Sequence, residues 1–188
     1  MGQTRQKDQK PSEYRRAIFL DRDGVINRKL PPNHYVGDVG DFHFLPGAID
    51  ALAMLRELGF ALIVVTNQRG IARGLMTEED LHQVHDMMQA EILKKNVVLD
   101  GIYWCPHEEF ENCSCRKPEP GMILRGARDL GIDLRSSYMV GDSPADVEAG
   151  RRSGTRTVFI GEDKDADADM IFPRLIDFAR YLRERGTE

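Results

Sequence analysis

Three apolar runs in this chain stop abruptly at polar clusters: AIFL at residues 17–20 meets DRDG, ALIVV at 61–65 meets TNQRG, and YMV at 138–140 meets GDSPAD. Short runs rich in branched and aromatic side chains predict buried strands, and two more are expected at 102–104 and 157–160. Helical patterns fill the gaps. One covers Ala48 to Leu58 and stops at Gly59; another starts after Thr77, a good N-cap, and reaches about Lys95. A third covers Gly121 to Leu130 and stops at Gly131, and further helices are expected after Pro144 and Pro173. Strands that alternate with helices imply an α/β fold with a mostly parallel sheet. In such a sheet the carboxyl ends of the strands share one edge, where ligands bind. The three clusters are therefore expected to converge.

Asp21 and Asp23 stand two apart at a strand end, a spacing that sends both side chains to one side if the extended geometry persists. Asp142, after another strand, is positioned to join them. Carboxylates this close raise one another's pKa unless a cation lies between them, and magnesium, which takes oxygen ligands and keeps several waters, suits one or two carboxylates plus a phosphate. Asp21 is then the candidate nucleophile, forming an aspartyl-phosphate, and Asp23 the candidate acid and base for the leaving oxygen and the attacking water. Phosphoryl transfer also needs donors and positive charge around the moving group. Thr66, Asn67, Lys117 and, next door, Arg116 are the candidates to supply them, Gln68, Arg69 and Ser143 are further candidate substrate-binding residues, and Gly24 frees the backbone to turn close to a phosphate.

The net charge of −5 gives no basic stripe of the kind nucleic-acid binders use, and no apolar stretch approaches the ~20 residues of a membrane span. The partner expected is a small anion. Residues 1–16 are polar and basic without an apolar core, so they are expected to be a loose tail ahead of a single domain at 17–188, and a cytoplasmic protein is expected. The acidic stretch GEDKDADAD at 161–169 is expected to be a solvated connector.

All three cysteines fall in CPHEEFENCSC, where Cys105, His107, Cys113 and Cys115 give a C-x-H-x5-C-x-C spacing. Three thiolates and an imidazole match a closed, structural zinc site with no open position for water. The loop runs directly into Arg116 and Lys117, so zinc is expected to fix two substrate-binding groups. His82 and His85 are expected on a solvated helix face, and Trp104 and Tyr103 beside the zinc loop. His34 is expected to border the substrate, and Arg69 with Arg73 to hold a distal phosphate.

DRDGVIN, Thr66, Lys117 and GDSPAD, in that order, resemble the four motifs of the haloacid dehalogenase superfamily of phosphohydrolases. The resemblance implies a Rossmann-like three-layer sandwich. It also implies magnesium held by Asp21, the Asp23 carbonyl and Asp142, with Asp146 in support. More narrowly, VVTNQRGIARG and CRKPEPGM are similar to the D-glycero-D-manno-heptose 1,7-bisphosphate 7-phosphatases, over roughly Ala17 to Ile160. That family implies removal of the 7-phosphate from a heptose bisphosphate on the way to ADP- or GDP-heptose. Members often carry a Lys where this chain has Ser143. Histidinol-phosphate phosphatases share DRDG, TNQ and a similar cysteine loop, and are the alternative enzyme. A phospho-accepting binding module is the alternative outside enzymes, though a receiver needs no acid at Asp23. The spaces between motifs leave no room for a large cap domain, and a monomer is expected.

Overall fold

The structure is a computed structural model describing residues 15–186. Its strands are β1 (Ala17–Leu20), β2 (Ala61–Asn67), β3 (Gly101–Cys105), β4 (Tyr138–Gly141), β5 (Arg156–Ile160) and β6 (Met170–Phe172). Between and after them run α1 (Ala48–Glu57), α2 (Glu78–Leu93), α3 (Gly121–Leu130), α4 (Pro144–Ser153) and α5 (Leu175–Arg185). The strands form one six-stranded sheet in the order β3-β2-β1-β4-β5-β6, with every pairing parallel. A parallel sheet needs a crossover between neighbours, which is why each strand but the last pair is separated by a helix.

The side chains of β1 alternate between two cores, as the two-residue period requires. Ile18 and Leu20 pack with Leu62, Val64, Val140 and the apolar faces of α1, α2 and α5. Ala17 and Phe19 pack with Ile63, Val65, Met139 and residues of α3 and α4. Both faces of the sheet are therefore covered, and the central strands read as continuous apolar runs instead of alternating ones. The result is the three-layer α/β sandwich expected from the sequence. The start of α2 is fixed by a reciprocal cap: the Thr77 hydroxyl accepts from the Asp80 amide while Asp80 accepts from the Thr77 amide.

At the edges one expectation is corrected and another is refined. Of the expected tail, residues 1–14 lie outside the described residues, but Arg15 and Arg16 belong to the fold. The Arg15 amide donates to Gly131, its guanidinium pairs with Asp100, and Arg16 caps the Leu58 carbonyl and stacks over Phe60. The connector at 161–169 is exposed along much of its length, yet Asp169 accepts from the backbone and hydroxyl of Thr157 and so seats β6 against β5. β6 escaped the sequence reading because it has three residues directly behind an acidic run. No helix among the described residues is long and apolar enough to cross a membrane.

Candidate active site

The carboxyl ends of β1, β2 and β4 meet at a cleft of about 820 Å³, bordered by the loop after β1 and by the cysteine loop after β3. Asp21 continues β1, its amide still donating to the Val140 carbonyl of β4 at 2.9 Å. The chain then turns. Gly24 has φ +100°, and a Cβ there would lie 2.2 Å from Asp142 Oδ2, so only glycine lets the DRDG turn pass this close to the end of β4.

Lys117 stands at the centre of the site. Its ammonium lies 2.8 Å from Asp21 Oδ1 and 2.6 Å from Asp146 Oδ1, and donates to the Val65 carbonyl at 2.8 Å. All three of its donors are thus used. Burial works against its charge, but Asp146 and Asp21 outweigh this and hold its pKa above the usual lysine range. Burial pushes the Asp21 carboxyl up to about 7 against the pull of Lys117, with Asp146 and Asp23 adding to the rise. Asn67 holds the segment in place, donating to the Lys117 carbonyl and accepting from its amide, both at 3.0 Å.

Asp21, Asp142 and Asp146 each offer an oxygen within 4.8 Å of the others, a group suited to a hard cation. The donor set fits magnesium: burial raises the pKa of Asp142 as well as that of Asp21, and Lys29 reaches in with its ammonium 2.7 and 3.0 Å from the two Asp142 oxygens. The cluster therefore calls for positive charge beyond Lys117. The Asp23 side chain borders the same cleft but stands apart from this cluster. It accepts from Arg22, from Asn27 at 2.9 Å and from Gln68 at 2.9 Å. Burial favours its protonated form, but the Arg22 charge and these hydrogen bonds prevail and hold its pKa below the usual aspartate range.

Behind Asp23 lies a group that the sequence reading placed wrongly. Arg22 has no exposed surface, and its Nη1 lies 3.3 Å from His85 Nε2. A guanidinium has only donors, so His85 accepts and its Nε2 carries no proton. Burial, then the Arg22 charge, pushes the His85 pKa down to about 3. His85 is therefore a buried acceptor on α2, whereas His82 alone lies on the exposed face. Trp104 packs edge-on against both histidines, and Tyr103 lies under Arg125 of α3. Neither aromatic borders the cleft. The signal was present in the sequence: a residue between two cleft-facing aspartates must point inward, and an inward arginine needs acceptors.

Other candidates are redistributed. Gln68, expected to touch substrate, is buried and spans Thr66 Oγ1 and Asp23 Oδ2, so its amide orients the site's own groups. Ser143 borders the cleft, but its hydroxyl donates to Asp146 at 2.5 Å and its amide to the same oxygen, capping α4. Arg73 is turned away to Glu108 and Asn33 and does not join Arg69. Arg116 joins Arg69 instead: both reach Glu109 across the cleft mouth. His34 lies on an adjoining hollow and contacts the Pro32 carbonyl.

In the cysteine loop, the three sulfurs and His107 Nδ1 all lie within 4.8 Å of one another. Sulfur–sulfur separations are 3.1, 3.4 and 3.6 Å, and His107 Nδ1 is 3.3 and 3.4 Å from Cys115 and Cys105. These separations are mostly shorter than the roughly 3.6–3.8 Å between ligands on a tetrahedral zinc, so the loop would open slightly around the ion; three thiols and an imidazole converging on one point are the donor set of such a site.

A HAD-hydrolase-like family model matches residues 114–179, which hold Lys117 and Asp142. Over the whole chain the likeness is closer. A D-glycero-beta-D-manno-heptose-1,7-bisphosphate 7-phosphatase of Yersinia pestis is 42% identical over 183 residues, covering 90% of this chain and 96% of the relative. The chain belongs to this phosphatase family. The heptose bisphosphatase of Salmonella typhi is 44% identical over 183 residues, covering 90% of this chain and 96% of its own length. A crystal structure of the D,D-heptose 1,7-bisphosphate phosphatase from B. bronchiseptica, complexed with magnesium and phosphate, superposes with a TM-score of 0.84 at 31% identity, covering 90% of this chain and 99% of that one. Membership of a heptose bisphosphatase family sets aside the reading as a phospho-accepting module.

Proposed function

We propose that the chain is a magnesium-dependent phosphatase that removes the 7-phosphate of D-glycero-β-D-manno-heptose 1,7-bisphosphate through an aspartyl-phosphate on Asp21. The observation that carries this is the Lys117 ammonium bridging Asp21 and Asp146 in a cleft that also holds Thr66 and Asp23. The β anomer follows the names of the relatives.

Asp21 attacks phosphorus as the bond to the sugar oxygen breaks; the negative charge of the bound phosphate raises the Asp23 pKa from its low resting value, so that Asp23 carries the proton this oxygen takes. Asp23 then accepts a proton from the water that cleaves the aspartyl-phosphate, releasing inorganic phosphate and restoring Asp21. Arg22, Asn27 and Gln68 fix the direction in which Asp23 offers its oxygens. The Lys117 ammonium, held beside Asp21, supplies positive charge next to the moving phosphoryl group, and the Thr66 hydroxyl in the same cleft supplies a donor. Asp21, Asp142 and, as the family resemblance implies, the Asp23 carbonyl would hold magnesium, with Asp146 beside them, and the ion would supply the positive charge that lets two anions meet.

Phosphate release with magnesium, measured on both heptose 1,7-bisphosphate anomers and on histidinol phosphate, tests the reading. Preferred turnover of the β-heptose is expected. Preference for histidinol phosphate would retain the mechanism and overturn the substrate.

Zinc at Cys105, His107, Cys113 and Cys115 holds the substrate-binding segment, since Cys115 adjoins Arg116, and Arg116 Nη1 donates to the His107 carbonyl at 3.3 Å. A thiolate site of this kind suits the reducing cytoplasm, where we place the enzyme, acting as a monomer. Stripping the zinc is expected to lower kcat/KM by ~10–100-fold, the range seen when metal-supporting contacts are lost. A zinc-free protein with an unchanged circular dichroism spectrum and unchanged kinetics would contradict this role.

A further inference from the structure

The mouth of the cleft holds an anion supplied by the protein itself. Arg69 Nη1 and Arg116 Nη2 converge on one oxygen, Glu109 Oε1, at 2.9 and 3.2 Å. Each guanidinium is also held from behind by a neutral acceptor. Arg69 Nε donates to the Tyr35 hydroxyl at 3.1 Å, and Arg116 Nη1 to the His107 carbonyl at 3.3 Å. Both arginines would thus stay aimed at the same point without Glu109. The arginine side chains are 29% and 15% exposed, whereas that of Glu109 is 69% exposed, on a single 3-10 turn at Glu109–Glu111. The carboxylate is the member of the group most able to leave.

We propose that Glu109 is an internal competitor for the distal phosphate: substrate displaces it from Arg69 and Arg116, and its return helps to expel the product. The proposal rests on the functional reading above, in which the product keeps the phosphate that is not hydrolysed. A phosphate group carries more charge than a carboxylate and offers three oxygens to two arginine forks, so it wins the exchange. Exposed ion pairs are weak, so the displacement costs little on entry. The same weak competition acts on the product, whose hold has been reduced to a single phosphate. Without the competitor, a ligand that carries the distal phosphate meets a site always ready to bind it, and its apparent affinity rises in proportion.

Replacing Glu109 by Gln keeps the size of the side chain and removes its charge. In calorimetric titration, Glu109→Gln is expected to bind heptose 1-phosphate about 3- to 10-fold more tightly than wild type, as two weak ion pairs allow. Product inhibition should strengthen in parallel. The KM for heptose 7-phosphate, which lacks the distal phosphate, should move less than about twofold. Zinc content and Tm equal to wild type would verify that the loop is intact. Weaker binding of heptose 1-phosphate would mean that Glu109 organises the arginines, and unchanged binding would mean that it is a bystander; either result overturns the proposal. Turnover of the bisphosphate by wild type checks the substrate reading separately. If that fails, paired titrations with inorganic phosphate decide the matter for Glu109: tighter binding by the variant supports it, and equal or weaker binding overturns it.

Discussion

Asp21→Asn should release no measurable phosphate from heptose bisphosphate, a loss of at least about 10³-fold, and yet melt at a higher temperature than wild type in metal-free buffer at pH 8. Both effects come from one charge. An amide cannot form the phosphoenzyme, so the two-step route closes. The stability gain follows from the surroundings of the carboxylate. Burial, with Asp146 and Asp23 near it, lifts the Asp21 pKa from 3.8 to about 7 despite Lys117. A carboxyl group whose folded pKa lies above its unfolded one binds its proton more tightly in the native state. It therefore destabilises that state increasingly as pH rises from about 4 through about 7, and the penalty is complete above that. The Asn variant lacks this penalty. Its advantage in Tm should be full at pH 8, shrink through pH 6 and vanish near pH 4. Thermal melts in chelator across that range would check it, and a variant less stable than wild type at pH 8 would contradict the argument. Active sites commonly trade stability for reactivity in this way.

Much of this site was legible because the chemistry lies at strand ends. An apolar run that stops at a carboxylate fixes both a strand and the edge at which it ends. In a parallel sheet that edge is shared, so Asp21, Thr66 and Asp142 converge without any knowledge of tertiary contacts. The cysteine loop was legible for a different reason: metal-ligand spacing is local, and all four donors fall within eleven residues. Side-chain partnerships were harder to read. Gln68 follows two strand-end residues with polar ends, and sequence cannot say that its amide folds back to Asp23 and Thr66. Lys29 reaches Asp142 across 113 positions from a loop whose path no periodicity sets. His85 shared a helix with His82, and a spacing of three leaves open which of the two turns inward. The buried Arg22 decides that question, because its guanidinium needs an acceptor on α2.

Lys117→Met should fail in the opposite sense to Asp21→Asn, losing activity and stability together. The ammonium touches Asp21, Asp146 and the Val65 carbonyl, with its side chain 3% exposed and those of the two aspartates 11% and 2%. Removing one member of a buried ion cluster leaves the others uncompensated, a cost of about 3–5 kcal/mol. The loss should be greatest in metal-free buffer at neutral pH and above, where the Asp21 carboxyl must be charged, and smaller near pH 5, where it can take up a proton. Lys117 itself adds no slope in this range. Its folded pKa lies above the usual lysine value, so its contribution is constant below about pH 10 and fades only beyond that. Activity should fall by about 10²–10³-fold, as when one donor to a developing anion is deleted. The double variant Asp21→Asn/Lys117→Met separates the two effects. Neutralising Asp21 removes one of the stranded charges, so the double variant should be more stable than Lys117→Met alone while remaining inactive. Denaturant melts of the four proteins form a cycle whose coupling energy reports the Asp21–Lys117 contact. A coupling near zero would mean that Lys117 serves Asp146 alone, and would remove the reason for placing it at the phosphorus end of the cleft.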